Sequence, residues 1–345
     1  MKTGRTRVKS GALAAAVLAA GVLLTAQITG MSSLNVPGLP SFGKMLEWFF
    51  LGGEDVSPSL VNNALAEGPL LPALYLIAAV IAVVLLVAAF RLLLPRGTET
   101  AEANWDSAAV LLVVGVLFVF FMVVGYSVYT LLGEIVPLED GLPHADIVRQ
   151  GRVAALTGLV VFSCMLLLLI FFVRYLLHGG VSELGFYRKS AGWKFLTGIV
   201  LFILLLPAFS VVRHTSAFFL NGLGVAGGSQ AAVMWITLEP NPWFDVLAVF
   251  NTVVVAAVCE EALFRGFLLR GLKRVTGGDA AIIVSAALFA LGHDSYLAWL
   301  PIFSFGLILG YVYDRTGSLW VPIGFHAAFN AFTMTILLLD KHHLI

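Results

Sequence analysis

Residues 154–173 read AALTGLVVFSCMLLLLIFFV, a run with no charged side chain that ends against Arg174. An α-helix rises about 1.5 Å per residue, so about 20 such residues cross roughly 30 Å of hydrocarbon. The run is continuous rather than alternating, which excludes the dyad pattern of a membrane β-barrel strand. In lipid, each backbone N–H and C=O must be paired within the segment, and a helix does that unaided. Comparable runs fall near 11–30, 70–90, 107–131, 195–212, 244–268, 280–296, 298–313 and 319–339. Of the 345 residues 60% are apolar and 12% charged, and the mean hydropathy is +0.97, so no soluble surface can be built from this chain. The expected fold is all-α, a polytopic transmembrane helix bundle of eight to nine spans.

Charge placement sets the orientation. The basic start (Lys2, Arg5, Arg7, Lys9) before an apolar run reads as a signal anchor or cleavable signal peptide of prokaryotic type, basic end in the cytoplasm. With nine spans, only Lys44, Arg149, Arg152, Arg213 and Lys341 of the 20 Lys and Arg fall outside, which satisfies the positive-inside rule. The expected location is the plasma membrane. Two long outer loops are expected, about 31–69 and 213–243, within an N-terminal transmembrane region 1–240, followed by a catalytic transmembrane core 241–340. Segment 183–194 reads either as an amphipathic stretch on the cytoplasmic face or as an ordinary loop. Formal net charge is zero and no basic stripe is present, so the bilayer is the expected partner and nucleic acid is not.

Ionisable groups within apolar spans are costly, and therefore mark function. The last four spans hold nearly all of them, Glu260, Glu261, Arg265, His293 and His326, together with the polar Asn330. Neighbours on a helix point about 100° apart, so Glu260 and Glu261 are not expected to enter one site together. Glu261 and Arg265 are four apart, as in an ion pair; Glu260 is left to face the interior as a general base for water. His326 and Asn330 share a face and offer two donors to a developing oxyanion. Phe289 and His293 repeat the spacing on the preceding span, where His293 could position the water. Counted at about 1.5 Å per residue from the cytoplasmic ends, all four lie roughly 10–20 Å deep, so one pocket opening toward the cytoplasmic side can hold them. Gly306 and Gly310 predict a close helix contact.

Glu260-Glu261-Ala-Leu-Phe-Arg265, Phe289-Ala-Leu-Gly-His293 and His326-Ala-Ala-Phe-Asn330 resemble the EExxxR, FxxxH and HxxxN motifs of the CPBP family. That family includes type II CAAX prenyl endopeptidases and bacteriocin-immunity-type proteins. The resemblance covers roughly 244–335. It implies an intramembrane endopeptidase in which Glu260 and His293 activate water, His326 and Asn330 form the oxyanion hole, and Glu261 and Arg265 support them. No cofactor is expected. The alternative is a zinc enzyme with Glu260, His293 and His326 as ligands; it ranks second because Asn330 is a poor zinc ligand and a good amide donor. Two other classes compete: a proton-coupled transporter, and a non-catalytic immunity or partner-binding protein. For a prokaryotic peptidase the expected substrate is a lipidated or otherwise membrane-associated peptide.

Overall fold

The computed structural model describes residues 105, 107–139, 141–142, 144–222, 231–293 and 298–344. The expected spans at 11–30 and 70–90 and the loop at 31–69 lie outside those residues. Among the described residues the chain is all-helical: α1 Ser107–Ile135, α2 Ala145–Leu176, α3 Ala191–Gly222, α4 Ala231–Leu238, α5 Pro242–Thr276, α6 Gly278–Leu291, α7 Trp299–Thr316 and α8 Trp320–Lys341. Stretches of α1, α2, α3, α5 and α8 are long and apolar enough to cross a membrane. On α1, Leu112, Phe118, Val119, Met122 and Val123 are all exposed, a surface that only lipid would solvate.

The structure corrects two expectations and decides between the two forms of a third. The span expected over 280–296 stops short, because α6 has 14 residues and rises only about 21 Å. Gly292 closes it, and His293 lies just beyond its end rather than inside it. The loop expected from 213 is helical as far as Gly222, and the chain is helical again over α4. Segment 183–194 takes the loop form over 185–190, between one 3₁₀ turn and the start of α3. Val181–Leu184 makes one 3₁₀ turn, Leu184 is fully buried, and Gly185, at φ +99°, turns the chain so that its carbonyl accepts Leu319 N–H at 3.0 Å.

Local chemistry explains where the helices begin and end. Asn241 caps α5 by accepting the Trp243 N–H at 3.0 Å, with Pro242 in the first turn, where its missing N–H is not needed. Gly277 (φ +82°) separates α5 from α6, and Gly317 (φ +66°) ends α7 by donating to the Tyr313 carbonyl at 2.8 Å. Trp193, Trp243, Trp299 and Trp320 each lie within the first three residues of a helix, the level at which an indole sits best between lipid and water.

Packing depends on small residues. A methyl group at Gly306 would meet Ala286 Cβ at 3.1 Å and one at Gly310 would meet Ile282 at 2.9 Å, the close α6–α7 contact that their spacing predicts. The most extensive pairing is α3 with α8. There Gly198 and Gly324 bring the two backbones into contact: a Cβ at Gly198 would overlap the Val321 carbonyl oxygen and lie 2.6 Å from Phe325 N. Phe202, Phe209, Phe289, Phe305 and Phe325 fill the space between α3, α6, α7 and α8. At the α5 N-terminal end two ion pairs fix the helix. Arg152 on α2 grips Glu239 through two bonds of 2.9 and 2.8 Å, and Lys341 at the end of α8 binds Asp245 at 2.5 Å.

Candidate active site

The two glutamates stand on α5 between stretches of π-helix, Asn251–Ala256 and Ala262–Leu269. A π turn inserts an extra residue and shifts the side chains that follow it, a distortion frequent at functional sites. Glu261 is fully buried and its Oε1 accepts from Arg265 at 2.8 Å. The same oxygen lies 2.9 Å from His326 Nδ1. On the other side of that ring, Nε2 is 3.9 Å from Glu260 Oε2. Both neighbouring carboxylates therefore reach one imidazole, contrary to the expectation that only one could enter the site. The reason is the ring itself, whose two nitrogens point to different sides and meet side chains that diverge along α5.

Arg265 is not at the interface. It is 1% exposed, bonded to Glu261 and to the Gly306 carbonyl at 3.2 Å, with its guanidinium carbon 4.4 Å from the centre of the Phe289 ring. Phe289 therefore supports the arginine as well as walling the site. Phe305 stands edge-on to His326 with ring centres 5.1 Å apart. Asn330 Nδ2 donates to the Thr252 carbonyl at 2.8 Å, engaging one of its two N–H groups, and it does so from the α8 face that carries His326. His293 is exposed, and its Nδ1 lies 2.8 Å from the Phe289 carbonyl, which it caps at the end of α6. Among the described residues His293 makes no hydrogen bond or ion pair with Glu260, so of the two histidines it is His326 that faces the carboxylates. Residue spacing did not reveal Phe305, Gly306 or Thr252, whose parts are a ring edge and two carbonyls.

A family model for Rce1-like type II CAAX prenyl endopeptidases matches residues 241–332, from the start of α5 into α8. The three motifs that resemble those of the CPBP family lie in this region. The Bacillus subtilis (strain 168) protein named "Putative membrane peptidase YdiL" is 27% identical over 139 residues, 37% of this chain and 57% of its own length. The chain thus spans a little over half the length of that relative. No solved structure matches the chain.

All six motif residues, from Glu260 to Asn330, lie within the matched stretch. Zinc would need at least three protein ligands and an open position. Among the described residues no three His, Cys, Asp or Glu side chains gather closely enough to hold a metal ion.

Arg265 holds a buried carboxylate, so its loss should be expensive. Arg265→Met is expected to destabilise the protein by about 3–5 kcal/mol, since Glu261 keeps its charge without its guanidinium. Thermal unfolding in detergent checks this; an unchanged midpoint would show that the pair carries no stability.

Proposed function

We propose that the protein is an intramembrane endopeptidase that cleaves a lipidated or membrane-associated peptide, in a plasma membrane, from a site that opens toward the cytoplasmic side. The observation that carries this reading is the His326 ring held between two glutamates, 2.9 Å from Glu261 and 3.9 Å from Glu260. The second distance is too long for a direct hydrogen bond, and this reading puts the hydrolytic water beside the two groups.

Glu260 is the general base. It takes a proton from the water, the resulting hydroxide attacks the scissile carbonyl carbon, and the same carboxyl later returns the proton to the departing amine as the C–N bond breaks. His326 is held by Glu261, which is itself anchored by Arg265. The oxyanion role requires an imidazole that carries a hydrogen on each ring nitrogen. In that form Nδ1–H is given to Glu261, and Nε2–H is left to donate to the oxyanion. Asn330, with one N–H bound to Thr252, has a second to offer the same oxygen. His293 presents its remaining ring nitrogen as a guide for water or substrate, and its place in the reaction is the least supported by contacts.

Purified protein in lipid vesicles should cleave an internally quenched, lipidated peptide, and cleavage should survive stringent metal chelation. Loss of activity on chelation, restored only by added zinc, would move the assignment to a zinc peptidase. Comparing membrane proteins and small peptides from cells with and without active protein then names the substrate.

A further inference from the structure

Ser285, buried on α6, uses its hydroxyl differently from other hydroxyls in these helices. Ser127, Thr197, Thr237, Thr276, Thr333 and Thr335 each donate back to the carbonyl four residues earlier in their own helix. Ser285 Oγ donates across to α5 instead, to the Phe264 carbonyl at 3.1 Å, and the residue is 3% exposed. That carbonyl belongs to the second π stretch, Ala262–Leu269. The α ladder is the more stable form of a helix, so a π stretch persists where its surroundings hold it. The first π stretch is held in the same manner, by Asn330 of α8 donating to the Thr252 carbonyl at 2.8 Å. Glu260 and Glu261 thus stand between two points at which a side chain from another helix bonds the α5 backbone.

Phe264 is followed in the chain by Arg265, which bonds Glu261 Oε1, and that oxygen meets His326 Nδ1. The Phe264 ring stands edge-on to Phe289, with centres 5.2 Å apart and planes at 88°. Phe289 lies one turn beyond Ser285 on α6, and its ring also receives the Arg265 guanidinium. One face of α6 therefore holds both the carbonyl and the ring of Phe264. On other sides of the same stretch, Arg265 bonds the Gly306 carbonyl of α7 and Leu184 packs on Gly266. If the Phe264 carbonyl were released, relaxation of the π stretch by one residue would turn Arg265 by about 100° around α5 and carry it off Glu261.

We propose that Ser285 is a positioning residue, whose hydroxyl fixes the second π stretch of α5 at Phe264 and so keeps Arg265, Glu261 and His326 in line for the reaction. The effect on turnover rests on the peptidase reading above; the alignment does not.

The test uses full-length protein in vesicles with the quenched peptide. Ser285→Thr and Ser285→Val add nearly the same volume, and only the first keeps the hydroxyl. Ser285→Thr is expected to have a kcat at least about threefold above that of Ser285→Val, with the two KM values within about twofold. Ser285→Ala, which adds no volume, should lose about three- to tenfold in kcat. Wild-type kcat in Ser285→Ala overturns the proposal, and so does equal kcat in active Ser285→Thr and Ser285→Val. Melting in detergent checks the alignment without any turnover. The midpoint losses of Ser285→Ala and Arg265→Met, measured singly, should together exceed the loss in the double variant by at least about 2 °C, because a released Phe264 carbonyl then has no ion pair left to disturb. Additive losses overturn the alignment. Should the Arg265→Met protein not fold, His326→Gln, at the far end of the same contacts, takes its place. Wild-type protein that fails to cleave the peptide rejects the peptidase reading alone, and the melting comparison still decides the alignment.

Discussion

Replacing Glu260 by Gln is expected to lower cleavage of the quenched peptide by about 10²–10⁴-fold, the usual worth of a positioned general base. The substitution keeps the shape of the side chain and removes the charge that accepts the proton. Glu260 has no hydrogen bond to lose at Oε2, and the stability network runs through Glu261 and Arg265, so folding should be spared. The expected signature is therefore a fall in kcat with KM and thermal midpoint nearly unchanged. Turnover at the wild-type rate by folded Glu260→Gln protein would reject the peptidase assignment and revive a binding role for the pocket. Substrate flux through vesicles that depended on Glu260 would instead favour the transporter reading.

The largest structural effect is expected at Gly198. A side chain there has nowhere to go, because Val321, Gly324 and Phe325 present backbone rather than movable side chains, and Gly324 meets the Phe195 backbone in the same way. Gly198→Val should therefore separate α3 from α8, with a loss well above the roughly 1–3 kcal/mol of ordinary overpacking. Since α8 carries His326 and Asn330, the separation should remove activity together with stability. Size-exclusion behaviour and helical melting in detergent check this; a monodisperse, wild-type-like Gly198→Val protein would mean that the two helices are not in backbone contact. Gly115, where an added Cβ meets nothing within 4 Å, is the matched control: Gly115→Ala should melt as the wild type does.

The helices were legible for a simple reason. Long uncharged runs such as 154–173 have one stable form in lipid, and five of the spans expected from 107 onward fall on helices long and apolar enough to cross, α1, α2, α3, α5 and α8. Their ends were less legible. The stop of α6 before His293 depends on Gly292 and on a side-chain cap to the Phe289 carbonyl, neither of which alters hydropathy. Leu184 looked interfacial because its neighbours are basic, yet it is buried by contact with Gly266 and Leu319, residues more than 80 positions away.

The sequence by itself determined that this is a helical membrane protein and which polar residues sit where lipid should be, because transfer of charge into hydrocarbon is penalised whatever the fold. The ion pair of Glu261 with Arg265 could also be read directly, since four residues is one helical turn. Only the tertiary structure decided that His326 stands between both glutamates, that the His293 ring bonds the Phe289 carbonyl, and that Asn330 spends one N–H on Thr252. Those contacts join different helices, and their geometry is set by π turns in α5 and by glycines that let backbones touch. Neither feature has a periodic signal along the chain.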